Sequence, residues 1–384
     1  MVKRLLQSLA AFAVLASTAS SACESEPDAI TAHAPIALLV DVQSGQTLYA
    51  RGAEHRFIPA SITKVMSAYV AFELIKRGEL TTEQNFALSE SAAEDWYRTG
   101  STMFLEPGEE VPVDLLLQGI TSVSANDASV VLAEGALGSI ENWVARMNET
   151  ARALEMHDSH FGTPNGWPDG GKTFTSARDL AKLARALVRD HPQLYARYFG
   201  KEGLRHNGFA QANHDPITGV VEGADGIKTG FTSQAGHGFL GSAQRDGTRL
   251  IMVLGALETE QQRAVAAREL MEWGFAKFDR QTLFERKAPV GHARVQNGMR
   301  GAVPLAAANT IKVAIPVEAN PDLKLSIRYE GPLQAPIAAG EVVAELQIEV
   351  AGMPPARVPL VAAESVSVAS PLQRIANAFS NWVG

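Results

Sequence analysis

Three short clusters of the sequence have residue types and spacings suited to acyl transfer. The first is Ser61-Ile62-Thr63-Lys64. On a helix, residues three apart share a face, so the Lys64 amine can reach the Ser61 hydroxyl. That hydroxyl is a weak nucleophile until a base takes its proton, and lysine becomes such a base when burial or a neighbouring cation lowers its pKa. Average composition puts about one Ser-x-x-Lys in a chain of this size by chance, so the motif carries little weight alone. The second cluster is Ser124-Ala125-Asn126, the only Ser-x-Asn in the chain. Its hydroxyl can relay a proton to a leaving amine, and its amide can hold both Lys64 and a substrate carbonyl. Read alone, it is an ordinary helix cap. The third is Lys228-Thr229-Gly230, followed by Phe231-Thr232. On a strand, the lysine with the hydroxyls of Thr229 and Thr232 suits a free carboxylate, and Gly230 admits a substrate backbone to the sheet edge.

The elements around these clusters read as follows. Ile36 to Val40 and Thr47 to Ala50 form a strand pair joined by a turn at Ser44-Gly45. Ser61 to Arg77 is a helix apolar on all sides, hence buried. Asp114–Leu117, Asn126–Glu134, Ile140–Met156 and Ser176–Val188 are helical. Strands return at Gly226–Thr229, Gly238–Ala243 and Leu250–Ala256, the last two joined at Asp246-Gly247. Thr259 to Phe278 is a long helix opened by a Thr259/Gln262 capping box. Strand pair, helical insertion, strands and final helix make an α+β domain with helices on an antiparallel sheet.

The whole chain has 384 residues, 46% of them hydrophobic, and a formal net charge of −8. That length predicts about two domains. An acidic chain without a basic run is not built for nucleic acid. Lys3 and Arg4, the apolar run Leu5 to Ala16 and the small residues Ser17 to Ala22 read as a signal peptide over residues 1–22. The lone cysteine, Cys23, excludes an intrachain disulfide and reads as incidental rather than lipidated. The catalytic domain is expected over residues 30–280. Residues 281–369, rich in Val, Ile, Ala, Pro and Gly, predict a small all-β domain. In residues 370–384, Leu372, Ile375, Ala376, Phe379, Trp382 and Val383 fall on one helical face. This is the pattern of an amphipathic helix lying in a membrane surface.

Each cluster is weak alone, but all three occur once and in the order known for penicillin-binding proteins and class A β-lactamases. The chain resembles the D-alanyl-D-alanine carboxypeptidases, the low-molecular-mass penicillin-binding proteins, across roughly residues 35–280. Asp41 to Leu48, Pro59 to Met66, Asn126-Asp127-Ala128, His160 to Gly166, Thr175 to Leu180 and Gly223 to Gly230 carry the resemblance. It implies a β-lactamase/transpeptidase-like catalytic domain that needs no cofactor and no metal. Its substrates would be peptidoglycan stem peptides ending in D-Ala-D-Ala, with β-lactams as covalent inhibitors. It implies catalytic roles for Ser61 as nucleophile, Lys64 as base and Ser124 as proton relay. Asn126, Lys228, Thr229, Gly230, Phe231 and Thr232 would bind substrate, with the amides of Ser61 and Phe231 as oxyanion hole. It further implies an exported enzyme, periplasmic and attached peripherally to the outer face of the cytoplasmic membrane. Ala125 and Phe231 depart from the glycine and histidine common in relatives, and neither removes a catalytic group.

Two other readings use the same motifs. A class A β-lactamase needs a glutamate between the second and third motifs for deacylation, and none occurs from Met156 to Lys201. A non-turnover penicillin sensor or cell-wall tether would keep Ser61, but no membrane-spanning run is visible.

Overall fold

The computed structural model describes residues 27–317 and 321–370. The signal peptide and the terminal amphipathic helix read from the sequence lie outside the described residues. Five antiparallel strands form the central sheet: β1 (Ile36–Asp41), β2 (Thr47–Arg51), β3 (Ala224–Thr232), β4 (Gly236–Arg245) and β5 (Thr248–Leu257), in the order β2-β1-β5-β4-β3. The sequence of β1, Ile-Ala-Leu-Leu-Val, is apolar without alternation because both faces of the sheet are covered. Leu38, Leu240, Ile251 and Val253 belong to a core shared with the helical insertion. Ala37, Leu39, Phe239, Met252 and Leu254 face the opposite way and join Ala266, Ala267, Leu270 and Met271 of the final helix.

The insertion supplies helices α1 (Lys64–Lys76), α2 (Val113–Gln118), α3 (Asn126–Leu137), α4 (Ile140–Ala153) and α5 (Ala177–Asp190). In α1, ten of thirteen residues are buried, including Lys64. The residues before it, Ala60–Thr63, form a 3₁₀ turn rather than the first turn of an α-helix. Ser61 therefore sits in a tighter turn than the helical pattern from Ser61 predicts. The final helix, α6 (Glu260–Ala276), opens with the Thr259/Gln262 capping box and stops short of Phe278, which starts a strand. Two short helices, Glu90–Trp96 and Pro192–Tyr198, and two small hairpins, Asn85–Ala87 with Glu110–Pro112 and Gly203–His206 with Phe209–Ala212, complete the insertion.

Beyond α6 the described residues form strands only: β6 (Phe278–Phe284), β7 (Pro289–Gln296), β8 (Ala302–Ala307), β9 (Ile311–Pro316), β10 (Leu323–Arg328), β11 (Leu333–Gln334), β12 (Val342–Val350) and β13 (Ala356–Ala362). β6 pairs with β9, and the rest form a sheet ordered β10-β12-β13-β8-β7-β11. Their core of Val303, Leu305, Val313, Leu346, Ile348 and Leu360 is separate from the two catalytic-side cores. The Gln46 side chain clamps this part to the turn after β1, donating to Ala314 O at 3.0 Å and accepting from Ala314 N at 2.6 Å. Arg280 adds a contact to buried Asp41 at 3.3 Å and donates to Gly274 O at 2.8 Å, near the C-terminus of α6.

Candidate active site

The three sequence clusters converge at one cleft of about 450 Å³, lined among others by Ser61, Asn126, Asn165, Trp167, Phe231 and Thr232. A larger hollow of about 820 Å³ lies on the β domain, lined by Arg328, Glu345 and Arg357. It contains none of the three clusters.

Lys64 Nζ lies 3.0 Å from Ser61 Oγ, 2.8 Å from Asn126 Oδ1 and 2.8 Å from Asn165 O. The two carbonyl oxygens can only accept. A neutral amine has two N–H donors and one lone pair, so both donors are satisfied and the lone pair is left for the Ser61 hydroxyl proton. Burial holds Lys64 well below the ordinary lysine range, and the charge of Lys228 lowers it further against an opposing pull from Asp127. Desolvation and a like charge both disfavour the ammonium form, so the electrostatics favour the base the geometry needs.

Local backbone sets these atoms. Ala60, just before Ser61, has φ +48°, and Ser124 has φ +64° at the end of a π-turn over Gly119–Val123. Two non-glycine residues in the left-handed region of one site are the kind of strain that surrounding packing must hold. Ser124 Oγ is buried and has no hydrogen-bond partner among the described residues. A buried hydroxyl left so costs about 1–3 kcal/mol. Asn126 begins α3, and its amide Nδ2 donates to Thr99 O at 3.2 Å, which fixes Oδ1 toward Lys64. The neighbouring Asp127 carboxylate accepts from Thr102 Oγ1, Met103 N, Leu105 N and Ala128 N and so ties the 99–105 loop to α3.

Lys228, Thr229, Gly230, Phe231 and Thr232 all lie on β3. Lys228 is buried, donates to Thr229 O at 3.1 Å, and is brought down to about 7 by desolvation and then by the charge of Arg263, with Asp215 pulling the other way. Phe231 is exposed and stacks on His237 at 4.2 Å. Thr232 Oγ1 accepts from Ala235 N at 3.0 Å. At Gly230, the group that approaches is the nucleophile turn itself. A Cβ there would lie 2.4 Å from Pro59 O and 3.3 Å from Ile62 N.

Three contributors escape the motif reading. Asn165 acts through its backbone carbonyl, which carries no residue-type signal. Asp127 was visible only as a neighbour of Asn126. Arg263, buried in α6, donates to Glu260 Oε1 at 2.7 Å and lowers Lys228 by its charge. It lies 35 positions after Lys228, so no local pattern could reveal it.

Comparison with known proteins agrees with the geometry. The profile of the peptidase S11 family, D-alanyl-D-alanine carboxypeptidase, matches residues 21–258, and that of the penicillin-binding protein 5 C-terminal domain matches residues 278–368. D-alanyl-D-alanine carboxypeptidase DacA of Haemophilus influenzae is 33% identical, covering 85% of this chain and 83% of its own. DacF of Bacillus subtilis is 29% identical with 99% of both chains covered. The crystal structure of penicillin-binding protein 5 from Haemophilus influenzae superposes with a TM-score of 0.75 at 31% identity, over 87% of this chain and 98% of that one. A family profile over more than half of the sequence, relatives aligned along most of it, and a Ser-Lys pair set for acyl transfer lead to one conclusion: the chain belongs to the D-alanyl-D-alanine carboxypeptidase family of serine peptidases.

Proposed function

We infer that this enzyme removes the terminal D-alanine from peptidoglycan stem peptides through an acyl-enzyme on Ser61, and that β-lactams acylate the same oxygen. The observation that carries the reading is the 3.0 Å contact of Ser61 Oγ with a buried lysine whose other two partners are acceptors only. In the proposed cycle, Lys64 takes the hydroxyl proton as Oγ attacks the carbonyl of the penultimate D-alanine. The amides of Ser61 and Phe231 hold the oxyanion, a device worth several kcal/mol (about 3–4 for one donor). The C–N bond then breaks, and the proton passes through the Ser124 hydroxyl to the departing amine. Lys228 holds the carboxylate of the leaving D-alanine, with Thr229 and Thr232 beside it. Water, deprotonated by Lys64, finally hydrolyses the ester.

Penicillin-binding protein D2 of Listeria monocytogenes, 27% identical with a TM-score of 0.55, has been solved in an ampicillin-bound form, which supports β-lactams as ligands here. The residue 1–22 pattern supports export. The apolar face over 372–383 supports peripheral attachment to the outer face of the cytoplasmic membrane. The deciding experiment is D-alanine release from a pentapeptide ending in D-Ala-D-Ala, with Ser61→Ala as control. Release by the wild type and none by the variant is expected. Equal release by both would remove Ser61 as nucleophile, and stable penicillin labelling without release would favour a sensor.

A further inference from the structure

Two large aromatic side chains stand exposed in the Ser61 cleft: Trp167, 40% exposed, and Phe231, 54% exposed. Neither is loose. Trp167 N donates to Asn165 Oδ1 at 3.0 Å, in the residue whose carbonyl accepts from Lys64. The Trp167 indole packs edge-on against Trp96 at 5.6 Å. It also lies flush on Gly100, where a Cβ would sit 2.7 Å from the indole and 2.8 Å from Asn126 Nδ2. Phe231 is backed by His237. Apolar rings held rigid beside a few convergent polar groups are the usual make-up of a ligand subsite, and a rigid aromatic contributes contact area at little entropic cost.

Resting on the acyl-transfer reading above, we propose that Trp167, with Phe231 as the second wall, is a specificity-determining residue for acyl donors that carry an apolar or aryl group on their acyl half. The Trp167 indole packs on Gly100 beside Asn126, away from β3, whose residues include Lys228, the partner proposed for the leaving carboxylate, as well as Phe231 at its exposed end. The indole therefore serves the half of the ligand that stays on Ser61.

The test compares second-order acylation of Ser61, followed by mass spectrometry, for benzylpenicillin and for 6-aminopenicillanic acid, which lacks the aryl acyl group. The ratio of the two rates should fall about tenfold in Trp167→Ala, the order of an aromatic contact. Trp167→Phe should restore most of it, and this variant also guards against misfolding of the first. A ratio within twofold of wild type in Trp167→Ala, with both compounds still acylating, overturns this proposal alone. Failure of both compounds to acylate the wild type overturns the acyl-transfer reading and the proposal with it.

Discussion

Gly166→Ala tests whether the loop at 163–168 is part of the catalytic apparatus. Gly166 has φ +77°, and a Cβ there would fall 1.9 Å from Ala60 O and 2.9 Å from Thr63 Oγ1. The left-handed backbone costs an alanine about 1–2 kcal/mol. The clash adds to this, because Ala60 O is backbone in the nucleophile turn and cannot swing aside. Ordinary contact is about 3.5 Å, so the loop must retreat by more than 1 Å. Asn165, one residue away, then takes its carbonyl beyond hydrogen-bond reach of Lys64 Nζ, now 2.8 Å distant. A misplacement of about 1 Å near the chemistry costs about 100-fold, so kcat/KM for D-alanine release should fall by about that factor. Stability in urea should fall by about 2–4 kcal/mol, given overpacking added to strain. Gly170→Ala is the matched control. Its φ is +72°, yet nothing lies within 4 Å of the added Cβ. It should lose about 1 kcal/mol and keep its activity. Activity in Gly166→Ala within threefold of wild type, or an equal loss in Gly170→Ala, would refute the coupling between loop and base.

Three further outcomes are expected. Lys228 titrates at about 7 in the free enzyme, so it loses its charge as pH rises through 7; kcat/KM, which reports the free enzyme, should drop above that pH for carboxylate-bearing peptides and not for a substrate lacking the carboxylate, and parallel profiles would count against the carboxylate role. The same depression makes stability rise with pH between about 7 and the ordinary lysine value near 10.5, because in that window the unfolded chain holds the proton that the folded one has lost. Asp127→Asn should lose about 2–4 kcal/mol in denaturant unfolding, since an amide cannot accept four donors; it should also shift the acid limb of activity to lower pH, because Asp127 holds Lys64 up, and an unmoved limb would deny that influence. Deleting residues 371–384 should free the mature enzyme from the membrane fraction, and undiminished sedimentation with membranes would sink the interfacial-helix proposal.

The catalytic side of the fold was readable where one residue pattern fixed one element. The unbroken apolar run of β1, the Asp246-Gly247 turn and the Thr259 capping box each appear within a residue or two of their expected place, and the all-round apolar α1 ends where expected but begins three residues late, at Lys64, behind a 3₁₀ turn. The helices at Glu90–Trp96 and Pro192–Tyr198 were not foreseen, because seven residues show too little periodicity to stand out. The motifs singled out Ser61, Lys64, Asn126 and Lys228, and the first three converge within hydrogen-bond reach. What sequence could not supply was support by atoms without residue identity, such as Asn165 O, or by distant residues such as Arg263. The π-turn that drives Ser124 to positive φ is likewise a product of packing, with Gly119 to Val123 all buried.

The strand order also governs when this protein can fold. β1 pairs with β2, its neighbour in sequence, and with β5, which begins only at Thr248. Until the chain has been made as far as Leu257, one long edge of β1 has no partner, and β3, which carries Lys228 and Phe231, has no β4–β5 bridge joining it to β1 in the sheet. Long-range pairing of this kind is intrinsically slow. During synthesis the polypeptide therefore spends most of the length of its catalytic part without a complete central sheet.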